Sequence, residues 1–397
     1  TYIIYDFYKV NYKYNSHFSK ALMKFSILQP TLKQALTLAG AHIGKGGTFG
    51  TVAIEATESN ELRISARDQD SGVNCFMPAT VARPGGILLP EKLLAELVGN
   101  LPPERVDFEL DEKTSRVSIS CHRSVATIPG VLLSDGFPLR SQYAAGKPFT
   151  TKEPEKGARL AVFGIESLRK AIEATAFAAS VDESRPTLTG ADVSVSGIAA
   201  KFATTDGFRL AVTQVQLEQE FGEQSRVIIP ASRLGRLAKV IALGEQDSRI
   251  DMLFTSNWAL FTVQCSEKSA LSIVEVEMSL IDAKFPDYNA IIPKRSDIGI
   301  RVVRDELKKA LRVTGLYARD NANIVTFAIG HGQLKLLAKS FETGDCSVEV
   351  ELRECDSAEH LSIAFNFKLL ADYLDRADSE LYMQFTKATR PAKISSA

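Results

Sequence analysis

The chain has 397 residues, of which 45% are apolar and 24% charged, with a formal net charge of −1. That length predicts several domains, because single cores stop growing near roughly 250 to 300 residues. The near-neutral charge excludes a whole-chain attraction to nucleic acid or membrane, so any such role rests on local charge.

Residues 1–22 carry Tyr2, Tyr5, Tyr8, Tyr12 and Tyr14 among Lys9, Lys13 and Lys20. They lack the apolar middle and cleavage site of a signal peptide, and read as an extension before a domain that begins at Met23. No apolar run reaches the roughly 18 residues that span a bilayer. Cys75, Cys121, Cys265, Cys346 and Cys355 are scattered and form no CxxC pair. This argues against a disulfide framework and structural zinc, and fits a reducing cytoplasm.

Apolar spacing predicts a helix over 29–43 with Leu32, Ala35, Leu36, Ala39 and Ile43 on one face. Leu168 and Ile172, then Leu307 and Leu311, repeat the positions of Leu32 and Leu36 at nearly constant offsets. A second helix recurs likewise, opening at Pro90 (Leu94 and Leu97 inward), Pro230 (Leu234 and Leu237) and Asn366 (Leu370 and Tyr373). Pro suits a first helical turn and Asn an N-cap. Alternating segments such as Arg116–Cys121, Leu260–Cys265 and Gln333–Leu337 read as half-buried antiparallel strands.

The expected fold is α+β: three repeated domains, each with two helices packed on antiparallel sheets. Polar, Gly/Pro/Lys-bearing stretches near 145–158 and 293–298 place the domains at 23–147, 155–292 and 298–397. The first two close alike, on Gly136-Phe137-Pro138 and Lys284-Phe285-Pro286. The chain stops soon after Asn366, so the third reads as C-terminally shortened.

Catalytic signals are thin. His17, His42, His122, His331 and His360 lie in unrelated contexts without metal-ligand spacing, and no GxSxG occurs. Asp68 and Asp70 read as a solvated turn; the alternative is a hydrolase whose two carboxylates share a divalent metal. The glycines around Lys45 follow a helix and read as a C-terminal cap and loop instead of a phosphate cradle. Arg233, Arg236 and Lys239 recur every three residues on one helix, and Lys308, Lys309 and Arg312 mark another. Such stripes hold phosphates without reading bases, or are simply solvated faces.

Phe202–Val212 predicts a strand, a tight Asp206-Gly207 turn and a second strand. Together with Asp182–Gly190, Lys284–Tyr288, Ile291-Ile292-Pro293 and Phe365-Asn366, it resembles the bacterial DNA polymerase III beta subunit, the sliding clamp. The resemblance runs from Met23 to the end. It implies a non-enzymatic, cytoplasmic processivity factor without cofactor or metal, a homodimeric ring joined head to tail that encircles double-stranded DNA without reading sequence. Its partners would be DNA polymerase III and the clamp loader, docking through a linear motif.

Carried over by position, Lys92 and Arg185-Pro186-Thr187 would approach DNA, joined by Lys45 and Arg233 from the charge pattern. Leu188, Thr205, Gly207, Arg209, Leu210, Pro286, Ile291 and Asn366 would line the partner pocket, with plain core packing as the alternative for Leu188, Leu210 and Ile291. Val125, Thr127, Leu316 and Tyr317 would form the ring joint. The resemblance also implies a final strand and tail that the chain, ending at Lys393–Ala397, would lack, which exposes a neighbouring edge and should lower partner affinity. The alternative reading is a clamp-like homologue with impaired partner docking.

Overall fold

The computed structural model describes residues 23–41, 50–111, 113–133, 139–143, 157–342, 344–356 and 360–396. Residues 1–22, Ile43, Lys45 and the Gly136–Pro138 closure lie outside them, as does most of the 145–158 boundary. The first stretch forms β1 (Lys24–Leu28), α1 (Gln29–Ala41), β2 (Thr51–Ala56), β3 (Glu61–Arg67), β4 (Ser71–Pro78), β5 (Thr80–Arg83), β6 (Gly85–Pro90), α2 (Glu91–Asn100), β7 (Arg105–Asp111), β8 (Arg116–Cys121), β9 (Ser124–Pro129) and β10 (Val131–Leu132). There follow β11 (Arg159–Gly164), α3 (Ile165–Thr175), β12 (Gly190–Thr205), β13 (Leu210–Pro230), α4 (Ala231–Ile241), β14 (Arg249–Phe254), β15 (Trp258–Gln264) and β16 (Ile273–Ser279). The chain ends with β17 (Ile298–Val303), α5 (Arg304–Ala318), β18 (Ile324–Gly330), β19 (Gln333–Ser340), β20 (Gly344–Val350), β21 (Leu352–Cys355), β22 (Leu361–Asn366), α6 (Phe367–Leu374), β23 (Glu380–Phe385) and β24 (Lys393–Ser396).

All six expected helices form, and the predicted apolar positions explain them. Leu32, Ala35, Leu36 and Ala39 of α1 are buried, as are Leu234 and Leu237 of α4 and Leu307 and Leu311 of α5. Pro90 and Pro230 stand at the N-caps of α2 and α4, where a missing N–H costs nothing. Asn366 caps α6, its side chain accepting from the Lys368 N–H. On α2 the buried pair is Leu94 and Val98, with Leu97 half-buried, so the inward face follows i,i+4 spacing.

The chain divides into two compact units, one of Thr1–Arg169, Val193–Ala200 and Gln214–Asp282, the other of Lys170–Asp192, Lys201–Thr213 and Ala283–Ala397. The first holds a five-stranded sheet in the order β5-β1-β7-β8-β9. An eleven-stranded sheet runs β10-β6-β2-β3-β4-β16-β15-β14-β11-β13-β12, its last two strands passing on into the second unit. The long sheet is closed by β4 against β16, antiparallel, with Cys75 opposite Val274 and Val73 opposite Val276.

Beside that pairing Glu275 is fully buried yet satisfied. It accepts from the Gln142 and Tyr143 N–H groups at 2.7 and 2.8 Å and from Asn74 Nδ2 at 3.1 Å. Arg140 pairs with Glu277 and stacks 4.3 Å from the Trp258 ring centre. Residues 139–143 are thereby pinned onto the sheet. Arg63 and Glu55 form a fully buried ion pair.

The second unit holds two four-stranded sheets, β21-β17-β23-β24 and β20-β19-β18-β22, around a core that includes Ile300, Leu307, Leu311, Phe327, Leu336, Leu374 and Phe385. Lys393–Ser396 pair antiparallel with β23, Met383 opposite Ile394, and β24 is the edge of its sheet. Two strands, β23 and β24, follow α6 among the described residues, where β7, β8, β9 and the two-residue β10 follow α2, and β14, β15 and β16 follow α4.

Burial pushes the Glu275 carboxyl above its ordinary 4.5, against the hydrogen bonds from Ser141, Tyr143, Asn74 and Gln142. The folded state therefore holds this proton more tightly than the unfolded one, and stability falls as pH rises from 4.5 through the raised value. Glu275→Ala strands two buried backbone N–H groups and the Asn74 amide. It is expected to cost about 3 kcal/mol, read as a lower denaturation midpoint, and to flatten that decline with pH.

Candidate functional site

The segment Phe202–Val212 forms as expected in outline, but its turn is a four-residue loop, Asp206 to Arg209, between the end of β12 and the start of β13. Gly207 takes φ +94°, the left-handed region that a Cβ disfavours. Asp206 Oδ1 accepts from the N–H groups of Phe208 and Arg209, both at 2.9 Å, which closes the loop as an Asx turn. Thr205 Oγ1 donates to the Arg209 carbonyl at 2.7 Å and accepts from the Gly207 N–H at 3.1 Å. The loop is thus shaped by its own side chains.

Arg209 then fixes the hairpin to its surroundings. Its Nε donates to Asp206 Oδ2 at 3.1 Å. Nη1 reaches the Leu369 carbonyl at 3.1 Å and Asp372 Oδ2 at 2.9 Å on α6, and Nη2 the Phe177 carbonyl at 2.9 Å. The planar fork suits several acceptors at once. Phe177 lies under two guanidinium groups, Arg209 at 5.2 Å and Arg376 at 5.0 Å from its ring centre, and its ring meets Tyr373 at 6.5 Å. Thr204 Oγ1 donates to the Thr175 carbonyl at 2.5 Å, tying β12 to the end of α3.

Of the pocket residues expected from sequence, Thr205, Gly207, Arg209 and Leu210 stand together on this hairpin. Arg185 lies beside it, Nη1 3.6 Å from where a Gly207 Cβ would be. Arg185 also meets Asp182 at 3.2 Å and opens a 3₁₀ turn, Pro186–Thr189, which carries the half-buried Leu188. Pro286 and Ile291 are exposed, flanking Tyr288, whose ring receives Lys201 Nζ of β12 at 5.0 Å. Phe177, Asp372 and Arg376 were missed. Asp372 carried a signal, since its acidic side chain lies six residues beyond the N-cap Asn366 and on the same helix as the expected Leu370 and Tyr373.

The charged candidates separate. Asp68 is not a solvated turn residue. It is 8% exposed, and its Oδ2 accepts from Arg233 Nη1 at 2.6 Å while Oδ1 accepts from the Asp70 and Ser71 N–H groups at 2.9 and 2.7 Å. Asp68 and Asp70 occupy the loop between β3 and β4, not one face of a strand, and the cation that Asp68 meets is Arg233, which removes the motive for a metal-sharing pair. Burial alone would raise the Asp68 carboxyl, but the Arg233 hydrogen bond and charge and the two N–H groups outweigh it and hold it below 3.8. Arg233 is therefore compensated within the fold. Lys92, Lys239, Lys309 and Arg312 are exposed on α2, α4 and α5, as are Arg185 and Pro186, with Thr187 half-buried.

The residues named for a joint lie at sheet and helix margins. Val125, 73% exposed, and Thr127 project outward from β9, the edge strand of its sheet. Leu316 is 54% exposed on α5, one turn from the exposed Val313, while Tyr317 packs against the core of the second unit.

Two family models match the chain, the DNA polymerase III beta subunit central domain over residues 164–287 and its C-terminal domain over 289–397. The chain belongs to the DNA polymerase III beta subunit family. Both the Arg209 hairpin and α6 fall inside the matched residues. The chain is 27% identical over 350 residues to a beta sliding clamp of Staphylococcus aureus, covering 86% of each protein. It is 26% identical to one of Synechocystis sp., covering 93% of this chain and 94% of that protein. Its fold matches the DNA polymerase sliding clamp of Bacillus subtilis, with a TM-score of 0.81 at 24% identity over 94% of this chain and 96% of that one. It also matches the Pseudomonas aeruginosa DNA polymerase III subunit beta bound to griselimycin, with a TM-score of 0.83 at 22% identity over 95% and 96%. The fold is that of a sliding clamp.

The Asp68 geometry makes a differential test. Asp68→Ala leaves a half-buried guanidinium and two N–H groups without their acceptor, and is expected to cost about 2 kcal/mol in denaturant titration, whereas Asp70→Ala stays within about 0.5 kcal/mol. Because Asp68 titrates below 3.8, its contribution is complete at neutral pH and fades only as the pH falls below that value.

Proposed function

We propose that this chain is a processivity clamp: two copies close head to tail into a ring around double-stranded DNA and tether the replicative DNA polymerase, the clamp loader and other partners through a short linear motif. Membership of the beta subunit family across both the hairpin and α6 is the observation that carries this reading. The protein acts by topology and needs no catalytic group or cofactor. Three clamp domains, 23–147, 155–292 and 298–397, follow from the recurring helix pairs, six per ring.

The joint is assigned to the open margins. The β9 edge with Val125 and Thr127 of one protomer faces α5 of its partner with Leu316 and Val313, beside β20, itself an edge strand. Two different surfaces meeting make a heterologous contact, the kind that generates rings when the rotation closes. An exposed edge strand is also the feature that soluble proteins cover or pair.

DNA is held by the exposed cations Lys92, Arg185, Lys239, Lys309 and Arg312, with Pro186 and Thr187 at the loop. Such contacts to phosphate position without reading sequence. Arg233 is a weaker candidate because Asp68 neutralises it, and Lys45 lies outside the described residues. The partner motif docks on Leu188, Thr205, Gly207, Leu210, Pro286, Ile291 and Asn366 around Arg209.

Light scattering on the purified chain is expected to give a dimer, and a loaded clamp should stay on closed circular DNA and slide off once it is linearised. Val125→Asp with Leu316→Asp should yield monomers that are retained on neither; a monomeric parent chain that treats both DNAs alike would overturn the proposal. Arg209→Ala releases the hairpin from α6 and is expected to weaken a clamp-binding peptide at least tenfold, about 1.4 kcal/mol, in calorimetry, while the dimer persists.

A further inference from the structure

Two of the histidines that looked unrelated in sequence meet in space. His331 and Gly332 form the two-residue turn between β18 and β19, with φ +51° and +73°, the signature of a type I′ turn. His360 stands just before β22, whose Leu361 pairs with Ile329 of β18. The two Nε2 atoms are 2.9 Å apart, the rings edge to face with centres 4.2 Å apart, and both side chains are exposed.

The approach is built into the backbone. Gly330 lies opposite His360, and a Cβ at that position would fall inside the His360 imidazole. The ring reaches His331 across a strand that has no side chain there. The I′ turn in turn fixes where the His331 imidazole starts. Neither feature is needed to form the hairpin, since Asn-Gly is the preferred dipeptide for such a turn and any β-former suits the strand end.

We propose that His331 and His360 form a two-imidazole site for a divalent transition-metal ion of tetragonal preference, copper(II) or nickel(II). Imidazole nitrogens suit these ions. Metal–nitrogen bonds of about 2.05 Å at a right angle place two ligand atoms about 2.9 Å apart, the separation seen here between Nε2 atoms. In the metal-free pair one Nε2 donates to the other. On coordination the donating ring carries its proton on Nδ1 instead, so both Nε2 lone pairs face the ion and no net proton is released. No third His, Cys, Asp or Glu completes a cluster among the described residues, so water fills the remaining positions. The bound ion clips the β18–β19 turn to the start of β22 at one end of their sheet.

Copper(II) sulfate titrated into the full chain, followed by calorimetry and electron paramagnetic resonance, is expected to show one site per chain with hyperfine splitting from two imidazole nitrogens. His331→Asn keeps the I′ turn in its preferred Asn-Gly form and should weaken that site at least tenfold, as should His360→Gln. Gly330→Ala keeps both imidazoles but displaces one ring, and should do the same. Copper bound by His331→Asn and His360→Gln with the affinity and nitrogen splitting of the parent chain would overturn the proposal. Dimer mass and retention on circular DNA are read on the same samples; they should not change in any of these variants, which separates this site from the clamp function.

Discussion

Strand edges demand partners, and the way this chain meets that demand organises the rest of it. An unpaired edge presents a row of N–H and C=O groups to any passing strand. Inside the chain the edges of β4 and β16, some two hundred residues apart in sequence, satisfy each other and turn two smaller sheets into one of eleven strands. Glu275 sits at that seam because its carboxylate collects donors from three directions, two of them backbone N–H groups of the segment 139–143 that runs over the joint. A buried carboxyl is costly unless it is satisfied in this way. Among the described residues β9 and β20 are edge strands, and there the same demand passes to a second copy in the proposed ring.

The hairpin at Gly207 follows a different logic, that of preorganisation. Four donor contacts from one guanidinium, two to α6, one to the Phe177 carbonyl and one to Asp206 within the loop, with aromatic stacking beneath it, fix the loop before anything binds. Side-chain and loop ordering at an interface costs roughly 0.5 to 1.5 kcal/mol for each immobilised side chain, so a surface already ordered binds a short peptide with less to offset. Short linear motifs bring little area of their own, and a rigid receptor is what makes their docking measurable.

How much of this was legible in sequence depends on the range of the interaction. The six helices were legible because their apolar spacing and caps are local: Leu32 and Leu36, Leu234 and Leu237, and Asn366 each report a face or an end within one or two turns. The Asp206-Gly207 turn was legible for the same reason, although its length was not. What could not be seen was the identity of partners far along the chain. Asp68 looked like a surface carboxylate because Arg233 lies 165 residues away. Phe177 carried no mark of its stacking, since a lone aromatic at a helix end is ordinary. β12 and β13 are long, partly exposed strands whose pattern does not alternate cleanly, so only the segment around their turn stood out. His331 and His360 were read as unrelated because strand register, not spacing, brings them together.

The Asp68–Arg233 pair also bears on how such a protein would hold DNA yet move along it. Each phosphate contact that releases a counterion strengthens binding and steepens its dependence on salt, so a row of fixed, uncompensated arginines would grip. Here Arg233, the arginine best fixed in place on α4, is neutralised inside the fold. The cations left on helix surfaces are mostly lysines, Lys92, Lys239 and Lys309, with Arg312 beside them. A lysine ammonium on a flexible stem remains hydrated and exchanges partners readily, whereas a guanidinium fork locks onto a phosphate with two bonds. A net charge of −1 adds no long-range attraction to offset. In a ring, retention does not need affinity, so weak and mobile charge is the arrangement that enclosure permits and sliding requires.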